Sequence, residues 1–140
     1  MIGYGNTLRC DDGVGPRVAE AIAGMNLPGV RAIGCHQLTP ELAAEMAHAA
    51  KVIFVDASVE SGCDIQVREL RPVEGPGIMA HTGDPGTLLA LCRRLFGTCP
   101  EAWQIAIPVE NLEFGEQLSE LARRGIERAV ARILTFCPGK

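Results

Sequence analysis

A continuous apolar segment near the middle of the chain, KVIFVDAS at residues 51–58, limits the possible folds most strongly. Such a run is typical of a strand buried on both faces, as in parallel sheets. Parallel strands need long crossover connections, which are usually helices. Segments with helical spacing of apolar residues do alternate with strand-like segments along this chain. We therefore expect one α/β domain over residues 1–140, with three layers: a mostly parallel twisted sheet of about five strands, one antiparallel edge strand, and helices on both faces.

The other elements follow from local patterns. DIQVREL alternates apolar and polar residues, which favours the antiparallel edge strand with one wet face. The remaining strands are predicted in MIGYG, VRAIGC (30–35) and AWQIAIPV (102–109). Helices are predicted over roughly residues 16–25, 39–50, 87–97 and 118–134. Residues 71–86 are rich in proline and glycine and are predicted to form a long loop, and long loops in compact domains are usually functional.

Composition excludes several classes of partner. The formal net charge is −4, so the chain lacks the basic surface that nucleic-acid binding requires. No apolar run approaches the ~20 residues of a membrane span, and no basic-then-apolar leader is present. Six cysteines are scattered without a C-x-x-C pair, which predicts reduced thiols and not a zinc site or a disulfide framework. We expect a cytoplasmic protein with no nucleic-acid partner and no membrane partner.

Chemically reactive side chains follow the ends of the predicted strands. Asp11 and Asp12 come after the first strand, and His36 comes after the second. Asp56 ends the third strand, and His81 lies in the long loop. Because ligands of open α/β sheets bind at the carboxyl ends of the strands, these side chains can converge there. Carboxylates with an imidazole suit zinc, nickel, manganese or non-haem iron.

Each candidate also has a structural interpretation. One aspartate of the pair could cap a turn beside Gly13, and Asp56 could cap the loop that follows its strand. A loop histidine such as His81 is more often a surface residue than a ligand, and His36 is its rival for a place at the metal. The residues alone leave these alternatives open.

Several familiar motifs are absent from the sequence. Gly3 and Gly5 begin a G-x-G-x-x-G pattern, but Leu8 occupies its third glycine position and the next predicted helix starts too late to meet a pyrophosphate. There is no P-loop, no G-x-S-x-G and no H-E-x-x-H, and no activated serine or cysteine nucleophile is evident. A nucleotide-binding module is therefore the weakest interpretation.

The segment GYGNTLRCDDGVG, residues 3–15, resembles the opening motif of the hydrogenase maturation endopeptidases, G-x-G-N-x-L-x-x-D-(D/E)-G-x-G, at every fixed position. The likeness continues through QLTPELA, VIFVDAS and PVENLEFGEQLS, and so covers essentially the whole chain. Members of this family remove the C-terminal extension of the large-subunit precursor of nickel–iron hydrogenases after nickel insertion. The resemblance implies the same activity and the same partner here. Because the encounter with a large precursor is transient, we expect the chain to act as a monomer.

The resemblance also implies a site. Its metal-binding side chains would be those of Asp12, Asp56 and His81, facing nickel that the substrate carries, and other divalent metals could occupy the same place. Either the metal activates water or the scissile carbonyl, or a carboxylate of Asp12 or Asp11 acts as general base. Four further residues are expected to contact the substrate: Gly5, Asn6, Gln37 and Thr82. Two functional alternatives are a non-catalytic nickel-binding assembly factor and a metal-dependent hydrolase of another peptide or amide.

Overall fold

Five strands form one sheet in the part of the chain that the computed structural model describes, residues 1–74 and 83–137. The strands are β1 (Ile2–Tyr4), β2 (Ile33–Cys35), β3 (Lys51–Ser58), β4 (Gln66–Leu70) and β5 (Glu101–Pro108). The α-helices are α1 (Val14–Gly24), α2 (Leu42–Met46), α3 (Pro85–Phe96) and α4 (Glu120–Phe136), and a 3-10 turn, Cys10–Gly13, leads into α1.

The sheet has the strand order β2-β1-β3-β5-β4. β2, β1, β3 and β5 are parallel, and β4 pairs antiparallel with β5 at one edge. The predicted mostly parallel sheet with one antiparallel edge strand is confirmed. Four strands therefore end at the same edge of the sheet, which is where the candidate site is expected.

The apolar run in β3 is buried on both faces, as predicted. Val52 and Phe54 pack into a core with α2 and α3. Ile53 and Val55 pack into a second core with α1 and α4. Because successive side chains of a strand point to opposite faces, a strand between two helical layers must be apolar at every position. The three-layer arrangement is confirmed.

Two elements are shorter than their sequence patterns predict. α2 has five residues, although a helix over 39–50 was predicted. The turns at both of its ends are held by hydrogen bonds between residues three apart and are not α-helical. The Leu42 N–H bonds to the Thr39 carbonyl at 3.1 Å, and the Ala49 N–H bonds to the Met46 carbonyl at 3.0 Å, which is 3-10 and not α geometry. β2 is restricted to Ile33–Cys35 because its partner β1 also has three residues.

The starts of two helices also differ from the predicted ones. α1 begins at Val14, since the 3-10 turn runs directly into it. α3 begins at Pro85, two residues early, because the Asp84 carboxylate accepts a hydrogen bond from the Thr87 N–H at 3.1 Å and caps the helix. All six cysteines are free thiols. Among the described helices none has the length and apolar character that a membrane span requires.

The glycines of the opening motif allow α1 to pack directly on the sheet. A Cβ at Gly15 would lie 2.6 Å from the Tyr4 nitrogen and 2.7 Å from the Val55 carbonyl oxygen, closer than real Cβ atoms approach. Gly5 has φ +146°, and a Cβ there would overlap the carbonyl oxygen of Asp12. The glycines therefore bring the backbone of the 3-10 turn and α1 against the end of β1.

Gly15→Ala should lower the free energy of unfolding by at least about 2 kcal/mol, because backbone atoms of two strands cannot yield to the added methyl group. The matched control is Gly24→Ala, at the end of the same helix, where an added Cβ meets nothing within 4 Å. Gly24→Ala should leave the free energy of unfolding unchanged or raise it by up to about 1 kcal/mol. Urea unfolding followed by circular dichroism measures both, and equal stabilities of the two variants would contradict the close-packing explanation.

Candidate functional site

Asp12 lies in the 3-10 turn that follows β1 after a five-residue segment, at the carboxyl edge of the sheet. Its Oδ2 accepts a hydrogen bond from the Asn6 N–H at 2.8 Å, and the Oδ1 of Asn6 accepts one from the Leu8 N–H at 2.9 Å. The Asp12 side chain is half-buried and forms no ion pair with a described residue. One carboxylate oxygen is thus fixed by backbone, and the other is available to a ligand.

Asp56 lies near the carboxyl end of β3 and begins a short hydrogen-bonded row that runs through Tyr4 of β1 to Gln104 of β5. The Tyr4 hydroxyl, from β1, donates to Asp56 Oδ2 at 3.1 Å. The Gln104 amide, from β5, donates to the Tyr4 hydroxyl at 3.4 Å. Tyr4 and Gln104 were not among the predicted site residues. No local sequence pattern indicates them, because the row forms only in the parallel register of the folded sheet, which pairs Phe54 with Gln104 and places these side chains on one face.

The surroundings of Asp56, including the charge of Asp12, shift its pKa. Burial raises the pKa of Asp56 above its ordinary value, the negative charge of Asp12 adds to this rise, and the Tyr4 hydrogen bond opposes it. Burial and the charge of Asp56 also raise the pKa of Tyr4, so that its hydroxyl remains a donor at neutral pH. Neither carboxylate forms an ion pair with a described residue, and a divalent cation bound by both would balance their charge.

Asp11 has a different environment. It is fully buried, and its carboxylate accepts hydrogen bonds from the N–H groups of Glu110 (3.0 Å), Asn111 (3.1 Å) and Ser119 (2.8 Å) and from the Ser119 hydroxyl (2.6 Å). Burial alone would raise the pKa of Asp11, but these four hydrogen bonds hold it below its ordinary value.

This geometry does not support the prediction that Asp11 is a possible general base. A base needs access to the substrate, and the Asp11 carboxylate is fully buried and already accepts four hydrogen bonds. Instead it joins the 3-10 turn to the segment after β5 and to Ser119, whose hydroxyl caps α4 by accepting from the Ala122 N–H at 3.1 Å.

Of the two candidate histidine ligands, only His36 lies within the described residues. His36 follows β2 on the surface and lines an open cavity of about 380 Å³ together with Gly5 and Thr7. Within residues 1–74 and 83–137 no three His, Cys, Asp or Glu side chains form a metal-binding group, so His36 does not complete one with the two aspartates. His81 lies outside the described residues.

The expected substrate contacts have varied positions. Gly5 packs against the backbone of Asp12, and Asn6 uses its side chain and its N–H to hold the turn around that aspartate. Gln37 is exposed in the turn after β2. Thr82 lies outside the described residues. Gly5 and Asn6 therefore adjoin Asp12, and their contact with the substrate stays a prediction.

The fold is shared with solved structures of hydrogenase maturation proteases. The NiFe hydrogenase maturation protease HycI from Thermococcus kodakarensis superposes with a TM-score of 0.74 at 23% identity, covering 96% of this chain and 88% of that one. A hydrogenase 2 maturation peptidase from a Thaumarchaeota archaeon gives 0.72 at 25% identity, covering 96% and 94%. The hydrogenase maturating endopeptidase HybD from E. coli gives 0.71 at 23% identity, covering 96% and 88%.

Comparison with protein-family models and with curated protein sequences finds no match. The likeness is therefore carried by the three-dimensional fold over nearly the full chain and by the opening motif. The resemblance inferred from residues 3–15 is confirmed at the level of the fold.

Proposed function

We propose that this chain is a hydrogenase maturation endopeptidase, which removes the C-terminal extension of a nickel–iron hydrogenase large-subunit precursor in the cytoplasm. The observation that carries the proposal is the placement of two half-buried carboxylates, Asp12 after β1 and Asp56 near the end of β3, at the carboxyl edge of a sheet with the fold of these proteases. Neither Asp12 nor Asp56 forms an ion pair with a described residue, and a cation carried by the substrate would balance their negative charge.

In this proposal Asp12, Asp56 and His81 bind nickel that is already inserted in the precursor. Carboxylate oxygens and an imidazole nitrogen are suitable donors for nickel. When bound, the nickel would polarise the scissile carbonyl or a water molecule. Because the precursor itself carries the metal, an unloaded precursor would lack the group that the site recognises, and cleavage would report metal insertion.

The chain's own residues have separate tasks. The Tyr4 hydroxyl, supported by Gln104, fixes the orientation of Asp56. The Asn6 N–H holds one oxygen of Asp12, and the other can bind the metal or accept a proton from water. Because the pKa of Asp56 is raised, binding of the cation must compete with a proton at low pH, so nickel recognition should weaken as the pH falls toward that raised pKa.

The test is a processing assay with the purified protein and the precursor, either nickel-loaded or metal-free. We expect a shortened product from the nickel-loaded precursor alone. His81→Ala should reduce the cleavage rate by at least about 100-fold. Losing a residue that only hydrogen-bonds to a metal ligand already lowers metal affinity or activity by about 10–100-fold, and a direct ligand should matter more. His36→Ala should have a smaller effect.

Two outcomes would contradict parts of the proposal. A precursor that binds the protein and stays intact would identify a non-catalytic nickel-binding assembly factor. A larger loss of cleavage rate in His36→Ala than in His81→Ala would identify His36, and not His81, as the third nickel ligand. Circular dichroism of both variants controls for folding.

A further inference from the structure

Two large apolar side chains are exposed beside the candidate site. Leu8, in the turn between β1 and the 3-10 turn, is 59% exposed, and Phe114, in the segment between β5 and α4, is 90% exposed. Both segments follow the carboxyl ends of parallel strands, so they lie at the same edge of the sheet as Asp12. We refer to these two residues as the Leu8/Phe114 patch.

The two residues are neighbours because their backbones pair. Arg9 and Gly115 form a parallel bridge, in which the Gly115 N–H donates to the Leu8 carbonyl and the Cys10 N–H donates to the Gly115 carbonyl, both at 2.8 Å. Bridged backbones lie about 4.8 Å apart. Leu8 and Phe114 each precede one bridge partner, so the bridge brings them together from positions far apart in the chain.

The backbone under the patch is held in place at several points. The Arg9 guanidinium donates to the Leu112 carbonyl at 3.1 Å, and the Arg17 guanidinium donates to the Glu116 carbonyl at 3.0 Å. The buried Asp11 carboxylate fixes the start of the same segment. An apolar side chain on a fixed backbone loses little conformational entropy on binding. Such side chains often contribute most of the binding energy of a protein interface.

The patch is connected to the site by two hydrogen bonds. The Leu8 N–H donates to the side chain of Asn6, and the Asn6 N–H donates to the Asp12 carboxylate. A macromolecule seated on the patch therefore contacts the same turn that positions Asp12. This continuity favours as its occupant the protein whose chain enters the site, and not an unrelated partner.

The surroundings of Phe114 are acidic. Glu110, Glu113 and Glu116 are exposed on the same segment, and none of them forms an ion pair with a described residue. Arg9 and Arg17 approach this segment through its backbone carbonyls and leave the three carboxylates free for a partner. A complementary surface is apolar at its centre and carries lysine or arginine at its margin.

We propose that the Leu8/Phe114 patch is a docking surface for the folded body of the precursor, away from the extension that is cut, through an apolar face with a basic margin. This inference rests on the proposed function. It places substrate affinity partly outside the site, so that affinity for the precursor and the rate of bond cleavage depend on different residues.

The experiment compares Phe114→Ser and Leu8→Ser with the control Leu95→Ser. Leu95 is 62% exposed at the end of α3 that lies at the opposite edge of the sheet. Processing rates measured over a range of nickel-loaded precursor concentrations give KM and kcat separately. We expect Phe114→Ser to raise KM about 10-fold or more, Leu8→Ser to raise it less, and Leu95→Ser to leave it unchanged, with kcat constant throughout.

A KM within about threefold of wild type for both patch variants would overturn the proposal, and so would an equal rise in Leu95→Ser. Binding of the precursor is measured in parallel, by the Kd of each variant. If the wild-type protein binds the precursor but does not cut it, the proposed function fails, and the Kd values still decide the docking surface. If the wild type cuts the precursor and the patch variants match it, only the docking surface fails.

Discussion

Asp12→Asn should reduce cleavage of the nickel-loaded precursor by at least about 100-fold while the protein stays folded. Asparagine keeps the size of the side chain and can still accept the hydrogen bond from the Asn6 N–H. It lacks the negative charge that a divalent cation requires from a carboxylate ligand. The processing assay measures the loss, and circular dichroism with thermal unfolding confirms the fold.

A second readout does not depend on activity. Because the charge of Asp12 helps to raise the pKa of Asp56, the Asp12→Asn variant should show a lower Asp56 pKa by NMR titration. The matched control is Asp64→Asn, which removes an exposed carboxylate paired with Arg128 and should change neither cleavage nor the Asp56 pKa. Full cleavage by a folded Asp12→Asn protein would show that both aspartates of the motif are structural.

Asp11→Ala should be the most destabilising single change at the opening motif, by about 3–5 kcal/mol in the free energy of unfolding. The substitution leaves three backbone N–H groups and the Ser119 hydroxyl without their buried acceptor. Typical domains are stable by only 5–15 kcal/mol, so the variant should unfold at much lower urea concentration.

The stability contribution of Asp11 should also depend on pH. Its pKa in the folded protein lies below the ordinary value, about 3.9 for an unfolded chain. The contribution is therefore fully present above that value and is lost as the pH falls through the lower folded-state pKa. The difference in unfolding free energy between wild type and Asp11→Asn should shrink over this acidic range. Glu60→Gln, at an exposed carboxylate that forms no ion pair with a described residue, serves as the control. A pH-independent difference for Asp11→Asn would contradict the hydrogen-bonded carboxylate as its source.

Much of the fold was predictable because the relevant signals are local. The apolar run of β3 indicated a strand buried on both faces, and the alternation in DIQVREL indicated the antiparallel edge strand. Helix ends were less predictable: the Asp84 cap extends α3 into the predicted loop, and α2 keeps only five residues. Such ends depend on a few hydrogen bonds whose competition the sequence pattern does not reveal.

The site was predictable only in part for a related reason. The sequence placed acidic side chains at the carboxyl edge of the sheet, and the resemblance selected Asp12 and Asp56, but neither indicated that Tyr4 and Gln104 fix Asp56. That row forms only when three strands align in parallel register, and strand register is a property of the folded sheet.

The two adjacent aspartates show most clearly what the sequence determined and what the tertiary structure decided. The sequence by itself determined that two carboxylates and several glycines occupy the turn before α1, and with them the possibility of a metal site. Only the tertiary structure decided that Asp11 is buried as an acceptor for backbone donors and that Asp12 is left half-buried beside Asp56. The donors to Asp11 lie about a hundred residues further along the chain, at Glu110, Asn111 and Ser119. Local pattern therefore cannot distinguish the two side chains, because what separates them is which one faces the rest of the folded protein.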